Sequence, residues 1–213
     1  MSESPRRGFP LFPLGIVALP TEKVPLHIFE DRYRTMIERC LLAEPGSRGR
    51  EFGIVWLSHE ELKPVGCACE VVEVLERMDD GRLNILARGT RPFRLIERQH
   101  DLAHPAGVVE FLDELEEEPD AEAARAAREL YRELVIQATD RELEAGEVRE
   151  LDAYGMAATV EFPADAKQEL LELRSENARL RLLAMLIHAT LERLELAERA
   201  QLRALSNGKV RFE

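Results

Sequence analysis

The chain has 213 residues and a formal net charge of −12, and 45% of its residues are hydrophobic while 33% are charged. This composition is typical of a folded globular protein, and the acidity argues against a broad nucleic-acid surface, which requires clustered lysine and arginine. Three cysteines cannot build a disulfide framework, and the sequence contains neither an apolar run of about 18 residues nor a secretory signal. We therefore expect a cytoplasmic protein without a membrane span.

The first half of the chain predicts short strands around one embedded helix. Prolines bound the apolar segments 9–14 and 24–28, which suits strands at sheet edges. Apolar residues spaced three and four apart then predict a helix over 30–43. Further strands are predicted over 52–57, 65–78, 82–87, 90–97 and 106–112, with a hairpin turn at the Asp-Gly step of residues 80–81.

The second half predicts helices and carries most of the acidity. Residues 1–110 have 15 basic and 17 acidic side chains, whereas residues 111–213 have 14 and 24. Helices are predicted over 120–139, with Asp120 as N-cap, and over 149–161, 165–174 and 175–205. We predict an α+β protein with a β-rich domain over 1–112, an acidic linker over 113–122 and a helical subdomain over 123–213.

The motif search yields no catalytic residue, metal site or cofactor site. Gly208-Lys209 lacks the spacing of a phosphate-binding loop, and Ser47 lacks the spacing of a nucleophile elbow. Cys67 and Cys69 would need two further ligands to hold zinc, so burial in the core is the simpler interpretation. His100 and His104 have metal-ligand spacing for a helix, but Pro105 disfavours a helix there.

Arginines in the β-rich half keep a second class of function open. Arg82, Arg88, Arg94 and Arg98 are separated by even numbers of residues, so they would share one face of a strand ribbon if no bulge intervened, and Arg91 lies among them. Such a ribbon could bind nucleic acid, although this half of the chain is close to neutral.

Several strings together carry a resemblance to a known family. They are FPLFPL at 9–14, PLHIFEDRYRTM at 25–36, FGIV at 52–55, GTRPFRL at 89–95 and KQELLE at 167–172. They resemble the Lon protease N-terminal (substrate-binding) domain family, especially its stand-alone bacterial members. The sequence departs from the family at Asp31, where proline is common, and either residue suits the first turn of a helix.

The resemblance implies a fold and a function. The implied fold is a PUA-like β-rich pseudobarrel with one embedded helix, followed by a C-terminal helical bundle that ends in a long helix. The family brings no catalytic, metal-binding or cofactor-binding residues. Pro25, Leu26, Ile28 and Phe29 are then expected to pack in the core or at a strand end, and Arg32 and Tyr33 to dock the helix.

The leading hypothesis is a non-enzymatic module that binds polypeptide substrates or partner proteins. It could act as an adaptor or regulator in protein quality control, since neither the ATP-binding motif nor the Ser–Lys peptidase domain of the protease is recognised. Phe9, Leu11 and Phe12 are candidate protein-binding residues on condition that they are exposed. The alternatives are an RNA-binding PUA-like domain and a hydrolase with an unrecognised site. The sequence leaves the partner and the oligomeric state open.

Overall fold

The computed structural model describes residues 4–44, 46–100, 102–139 and 141–207. The strands are β1 (Arg6–Leu14), β2 (Lys23–Ile28), β3 (Glu51–Ser58), β4 (Glu61–Arg77), β5 (Leu83–Gln99) and β6 (Ala106–Phe111). The helices are α1 (Asp31–Leu42), α2 (Ala121–Thr139), α3 (Ala145–Arg149), α4 (Ala153–Ala157), α5 (Ala164–Glu172) and α6 (Glu176–Asn207), with a short 3₁₀ turn at Arg48–Arg50. Contacts divide the chain into a β-rich unit, which runs to Glu117 and includes Tyr154–Glu176, and a helical unit, which comprises Glu118–Ala153 and the chain from Asn177 onward.

The six strands form one sheet that closes on itself. Its order is β2-β5-β4-β3-β1-β6, and a further pairing of β5 with β6 joins five of the strands into a ring. β2 pairs with the first half of β5 and lies outside the ring, while β6 pairs with the second half. The predicted α+β fold, with a β-rich N-terminal region followed by helices that end in a long helix, is confirmed.

Aromatic side chains fill the centre of the ring. The Phe9 ring meets Phe93 at 5.3 Å and Phe111 at 5.7 Å between centroids, both edge to face. Leu11, Val55, Ala68 and Val109 complete this cluster. Because β1 pairs with β3 in parallel, the chain must cross over between them, and α1 lies in that crossover with Tyr33, Met36, Ile37 and Cys40 buried.

Two strand segments predicted separately form the single long strand β5. The register against β4 shifts between Ala68 and Cys69, which face Arg91 and Gly89, so Thr90 is the extra residue of a bulge. The bulge lets the strand continue where the sequence suggested an interruption. The predicted hairpin turn is confirmed, because the Gly81 amide donates to the Met78 carbonyl at 2.9 Å and Gly81 has φ of 83°.

Helix α5 belongs to the β-rich unit, although the sequence assigned it to a contiguous helical subdomain. Gln168 Nε2 donates to the Val65 carbonyl oxygen at 3.0 Å. Lys167 forms an ion pair with Glu22, and the side chains of both partners are largely buried. Tyr154 adds a hydrogen bond from its hydroxyl to the Leu170 carbonyl at 3.3 Å. Sequence pattern shows that α5 is a helix, but only these long-range contacts show where it packs.

In the helical unit, the predicted N-cap is confirmed. Asp120 Oδ1 accepts hydrogen bonds from the amides of Glu122 at 3.1 Å and Ala123 at 2.9 Å. The predicted helix over 149–161 is wrong, since α3 and α4 occupy this region with an interruption at 150–152. Helix α3 begins earlier than the predicted helix, with a capping box of Glu144 and Glu147 at its N-terminus.

Helix α6 buries most of its predicted apolar stripe. Leu180, Leu183, Ile187 and Leu191 are buried, and Leu194 is half-buried. The Leu202 side chain and Gly208 lie outside the described residues. Within the described part of the chain, no helix combines the length and the apolar character that crossing a membrane requires.

Candidate functional site

Two adjoining depressions at one end of the barrel form what we call the barrel-end groove. Their volumes are about 270 and 430 Å³. They share lining by Pro13, Arg32, Leu62, Arg98 and Pro105. Four parts of the barrel meet here: the carboxyl ends of β1 and β2, the β3–β4 turn and the β5–β6 loop. The groove therefore contains side chains from distant parts of the sequence.

The β3–β4 hairpin supplies one apolar wall of the groove. His59 and Glu60 form its two-residue turn with φ of 48° and 68°, the pattern of a type I′ hairpin. The turn sets Leu57 opposite Leu62 in the register of the two strands. Leu57 is 42% exposed, which leaves apolar surface open beside the groove.

Phe29 forms the most exposed aromatic surface of the groove. Its side chain is 60% exposed, and its ring stacks on His27 with 5.8 Å between centroids. Phe29 is expected in the core or at a strand end, and it directly follows the last residue of β2. It does not lie in the core, because Val24, Leu26 and Ile28 point inward and alternation turns Phe29 outward. The inward orientation expected for Leu26 and Ile28 is confirmed, whereas Pro25 is exposed.

Hydrogen bonds fix His27 beneath this aromatic surface. His27 Nδ1 lies 2.6 Å from Asn84 Oδ1, and Asn84 Nδ2 donates to Glu76 at 2.8 Å. The Glu76 carboxylate can only accept, so it fixes the orientation of the Asn84 amide and leaves the amide oxygen facing His27. An amide oxygen is only an acceptor, so His27 Nδ1 carries the proton. The ring is therefore held in one orientation, and Nε2 makes no hydrogen bond among the described residues.

Charges at the groove differ in how they are compensated. Arg32 pairs with Glu30 at 2.7 Å and lies over the Tyr33 ring at 4.7 Å, so its charge is balanced. Burial raises the pKa of Tyr33, so this residue is a neutral phenol at physiological pH. The Arg98 side chain is exposed and makes no ion pair or hydrogen bond within the described ranges, which leaves one cation open at the groove.

The residues proposed from sequence for protein binding do not meet the condition of exposure. Phe9 is 0% exposed, Leu11 2% and Phe12 6%. Leu11 and Phe12 do line the groove from below, but Phe9 belongs to the centre of the barrel. The hydrophobic pattern identified this strand correctly, and the closed ring then turned its side chains inward.

The thiols lie in the core of the β-rich unit. Cys67 and Cys69 are fully buried, and burial raises the pKa of Cys67 well above its ordinary value. Burial likewise raises the pKa of Cys40 to about 11, so the thiols of Cys40 and Cys67 stay protonated and unreactive at neutral pH. Among the residues that the structure describes, no three metal-ligating side chains come together.

The two spaced histidines lie in the loop between β5 and β6, where no helix forms. His104 is buried, and its Nδ1 lies 3.0 Å from the Pro105 carbonyl oxygen, while His100 is exposed. Both line the groove. They lack the helical geometry that their spacing would need to present two ligands together.

The predicted arginine ribbon is interrupted. The bulge at Thr90 breaks the even spacing between Arg88 and Arg94. Acidic partners also neutralise arginines on β5 and just before it: Asp80 for Arg82 at 2.7 Å, Glu70 for Arg88 at 2.6 Å and Glu51 for Arg91 at 3.1 Å. These pairings weaken the case for nucleic-acid binding by the barrel.

Comparisons with known proteins agree on one family. The family model of the ATP-dependent protease La (LON) substrate-binding domain matches residues 8–189. A Lon N-terminal domain protein from Xanthomonas campestris is 24% identical with a TM-score of 0.62, over 84% of this chain and 97% of that one. The N-terminal domain of Mycobacterium avium complex Lon protease is 22% identical with a TM-score of 0.61, over 85% and 98%. At these identities the two structures establish likeness of fold.

Proposed function

This chain belongs to the LON substrate-binding domain family, and from that premise we propose that it is a non-enzymatic module that binds polypeptide segments in the barrel-end groove. The proposal extends to a role as an adaptor or regulator of protein quality control in the cytoplasm. Family membership supports the recognition of substrates, and the groove supplies a place for it.

The observation that carries the proposal is the exposed Phe29 beside an open groove that both apolar and polar side chains line. Exposed aromatic residues next to a concavity are the usual anchors of protein interfaces, because they bury a large area at small entropic cost. Leu57 and Leu102, which are 42% and 41% exposed, extend the apolar surface. Together they suit the apolar side chains of an unfolded or extended segment.

Arg98 and the fixed orientation of His27 add polar selectivity. An unpaired guanidinium at the groove favours segments that carry a carboxylate near their apolar residues. His27 Nε2 can accept a hydrogen bond from the main chain of such a segment. Binding by a few anchors with modest polar contacts suits a module that recognises many substrates.

Substitution of Phe29 tests the proposal. We expect Phe29→Ala to weaken the binding of fluorescently labelled β-casein, a chain without a stable fold, by about 1–2 kcal/mol, or about 5- to 30-fold. Fluorescence anisotropy gives the dissociation constants. Since Phe29 is mostly exposed, the free energy of unfolding should change by less than about 0.5 kcal/mol.

Leu42→Ala is the matched control. Leu42 is 84% exposed at the end of α1 and is not among the residues that line the groove, so its loss should leave casein binding unchanged. Equal affinities for the parent chain and Phe29→Ala would contradict the location of the site. Failure of the parent chain to bind casein or any other unfolded polypeptide would contradict the function itself.

A further inference from the structure

A second concave site lies in the helical unit, between α2 and α3. It has a volume of about 350 Å³. Its lining consists of four arginines with one glutamate and small or apolar residues: Arg125, Arg128, Arg132, Arg149, Glu129, Ala121, Ala124 and Val148. We call it the arginine cavity.

The sequence of α2 gathers three of these arginines on one face. Arg125, Arg128 and Arg132 are spaced three and four residues apart, so their side chains are neighbours along the helix. Like charges at this spacing destabilise a helix unless something compensates them. Ala121 lies one turn before Arg125, and Ala124 lies one turn before Arg128. Their small side chains leave open a space that longer side chains would fill.

Other groups of the protein balance the charges of these arginines only in part. Glu129 accepts from Arg125 at 3.1 Å, and Arg128 donates to the Leu151 carbonyl oxygen at 3.1 Å. The Nε of Arg128 is buried without a hydrogen-bond partner, so this guanidinium has lost water on one side without gaining an acceptor.

The other two arginines are exposed at the cavity. The side chains of Arg132 and Arg149 form no ion pair or hydrogen bond in the part of the chain that the structure describes. Four arginines thus line the cavity together with one glutamate. The cavity has an excess of three positive charges in a half of the chain whose net charge is −10.

We propose that the arginine cavity binds a phosphate group. A guanidinium presents paired donors that match two oxygens of a phosphate, and several arginines are the usual way in which proteins hold a dianion. The phosphate group belongs to one of three ligands: free inorganic phosphate, pyrophosphate or a phosphorylated side chain.

Calorimetric titration of the full chain tests this proposal. The probes are orthophosphate, pyrophosphate and O-phospho-L-serine, with acetate as a singly charged comparison. We expect saturable binding of at least one phosphate probe and none of acetate, and the preferred probe identifies the source of the phosphate. Affinity should fall with added salt, because the attraction is electrostatic.

The double variant R132Q/R149Q should bind the preferred probe at least about tenfold more weakly, since each lost charge-assisted hydrogen bond alone can account for a tenfold change. Both residues are exposed and unpaired, so the fold should be retained, as circular dichroism would show. R193Q, which removes an exposed arginine of α6 that is not in the cavity lining, should bind like the parent. Absence of phosphate binding, acetate binding of equal strength, or equal affinity in the double variant would each overturn the proposal.

Discussion

Gly89 shows how a single residue in a family string can be required by geometry. Its amide donates to the Glu22 carbonyl and its carbonyl accepts from the Thr21 amide, both at 2.9 Å. A Cβ at this position would lie 2.1 Å from the Leu19 carbonyl oxygen and 3.0 Å from Cys67 Sγ. The segment that connects β1 to β2 can approach β5 this closely only because residue 89 has no side chain.

Gly89→Ala should therefore lower the free energy of unfolding by about 3 kcal/mol, because main-chain atoms cannot move away as a flexible side chain could. Urea denaturation followed by the fluorescence of Trp56, the one tryptophan of the chain, measures the change. Gly15→Ala is the control, since no atom lies within 4 Å of the place that its new methyl group would take and its φ is not in the left-handed region. That change should shift stability by less than about 1 kcal/mol; equal losses in both variants would contradict the steric explanation.

Phe29 and Phe9 show how far the sequence alone predicts whether a side chain is buried. Both belong to apolar strings, and the pattern treats them alike, yet one is exposed at the groove and the other lies at the centre of the barrel. The alternation of β2 contains the signal for Phe29, because an inward Ile28 requires an outward neighbour. The predicted strand over 24–28 ends at the same residue as β2, so this signal was available, but the resemblance allowed Phe29 a place in the core or at a strand end and did not decide between them.

At the scale of elements, the N-terminus of α2 joins a local cap to a distant charge. Asp120 caps the helix through Oδ1, and its other oxygen pairs with Arg181 of α6. The hydrogen bond from the Ala123 amide, followed by the interaction with Arg181, holds the pKa of Asp120 below its usual range. A carboxylate with a lowered pKa in the folded state stabilises the fold above the unfolded-state pKa of about 4, and this stabilisation is lost as the pH falls through the folded-state value.

We expect Asp120→Asn to reduce the acid sensitivity of the helical unit, because the amide still caps α2 but does not titrate. Amide hydrogen exchange at Ala123 and Ala124, compared between about pH 5 and pH 3, reports the opening of this end of the helix. Asp120→Ala removes both the cap and the charge, so it should open the helix end at both pH values. Identical pH dependence in the parent and in Asp120→Asn would show that Asp120 does not contribute as described.

Strand and helix identities were largely predictable from local patterns, whereas their continuity was not. The Asp-Gly turn and the cap at Asp120 are local and were identified correctly. The joining of two segments into β5 and the division of 149–161 depend on a bulge and on the capping box at Glu144. Local propensity does not show whether a bulge or a helix break forms at a given residue, because contacts with the neighbouring strand or helix determine this.

At the scale of the whole molecule, the β-rich unit is assembled from two separated stretches of chain. Residues 154–176 return to it after the chain has formed α2 and α3 in the helical unit. The contacts of Lys167 with Glu22 and of Gln168 with Val65 span 145 and 103 residues. The family string KQELLE thus serves to attach α5 to the barrel.

A fragment of residues 1–117 should consequently be much less stable than the full chain, because Glu22 and the Val65 carbonyl lose their buried partners. A synthetic peptide of residues 154–176 should bind this fragment and raise its urea midpoint, as read by Trp56 fluorescence. The same peptide with Lys167 and Gln168 changed to alanine should bind at least about tenfold more weakly. A fragment that matches the full chain in stability, or a response to both peptides alike, would contradict this account.

By itself, the sequence determined the family, most of the strands and helices and the acidic character of the second half. Periodicity, caps, turns and short strings are properties of neighbouring residues, which is why the sequence alone can show them. Tertiary structure alone decided that the barrel closes through the pairing of β5 with β6, that α5 packs on the barrel, and that Phe29 rather than Phe9 is exposed. It also brought four arginines of α2 and α3 around one cavity. These outcomes depend on contacts between residues far apart in the chain, and such contacts are selected by the packing of the whole unit rather than by any local preference.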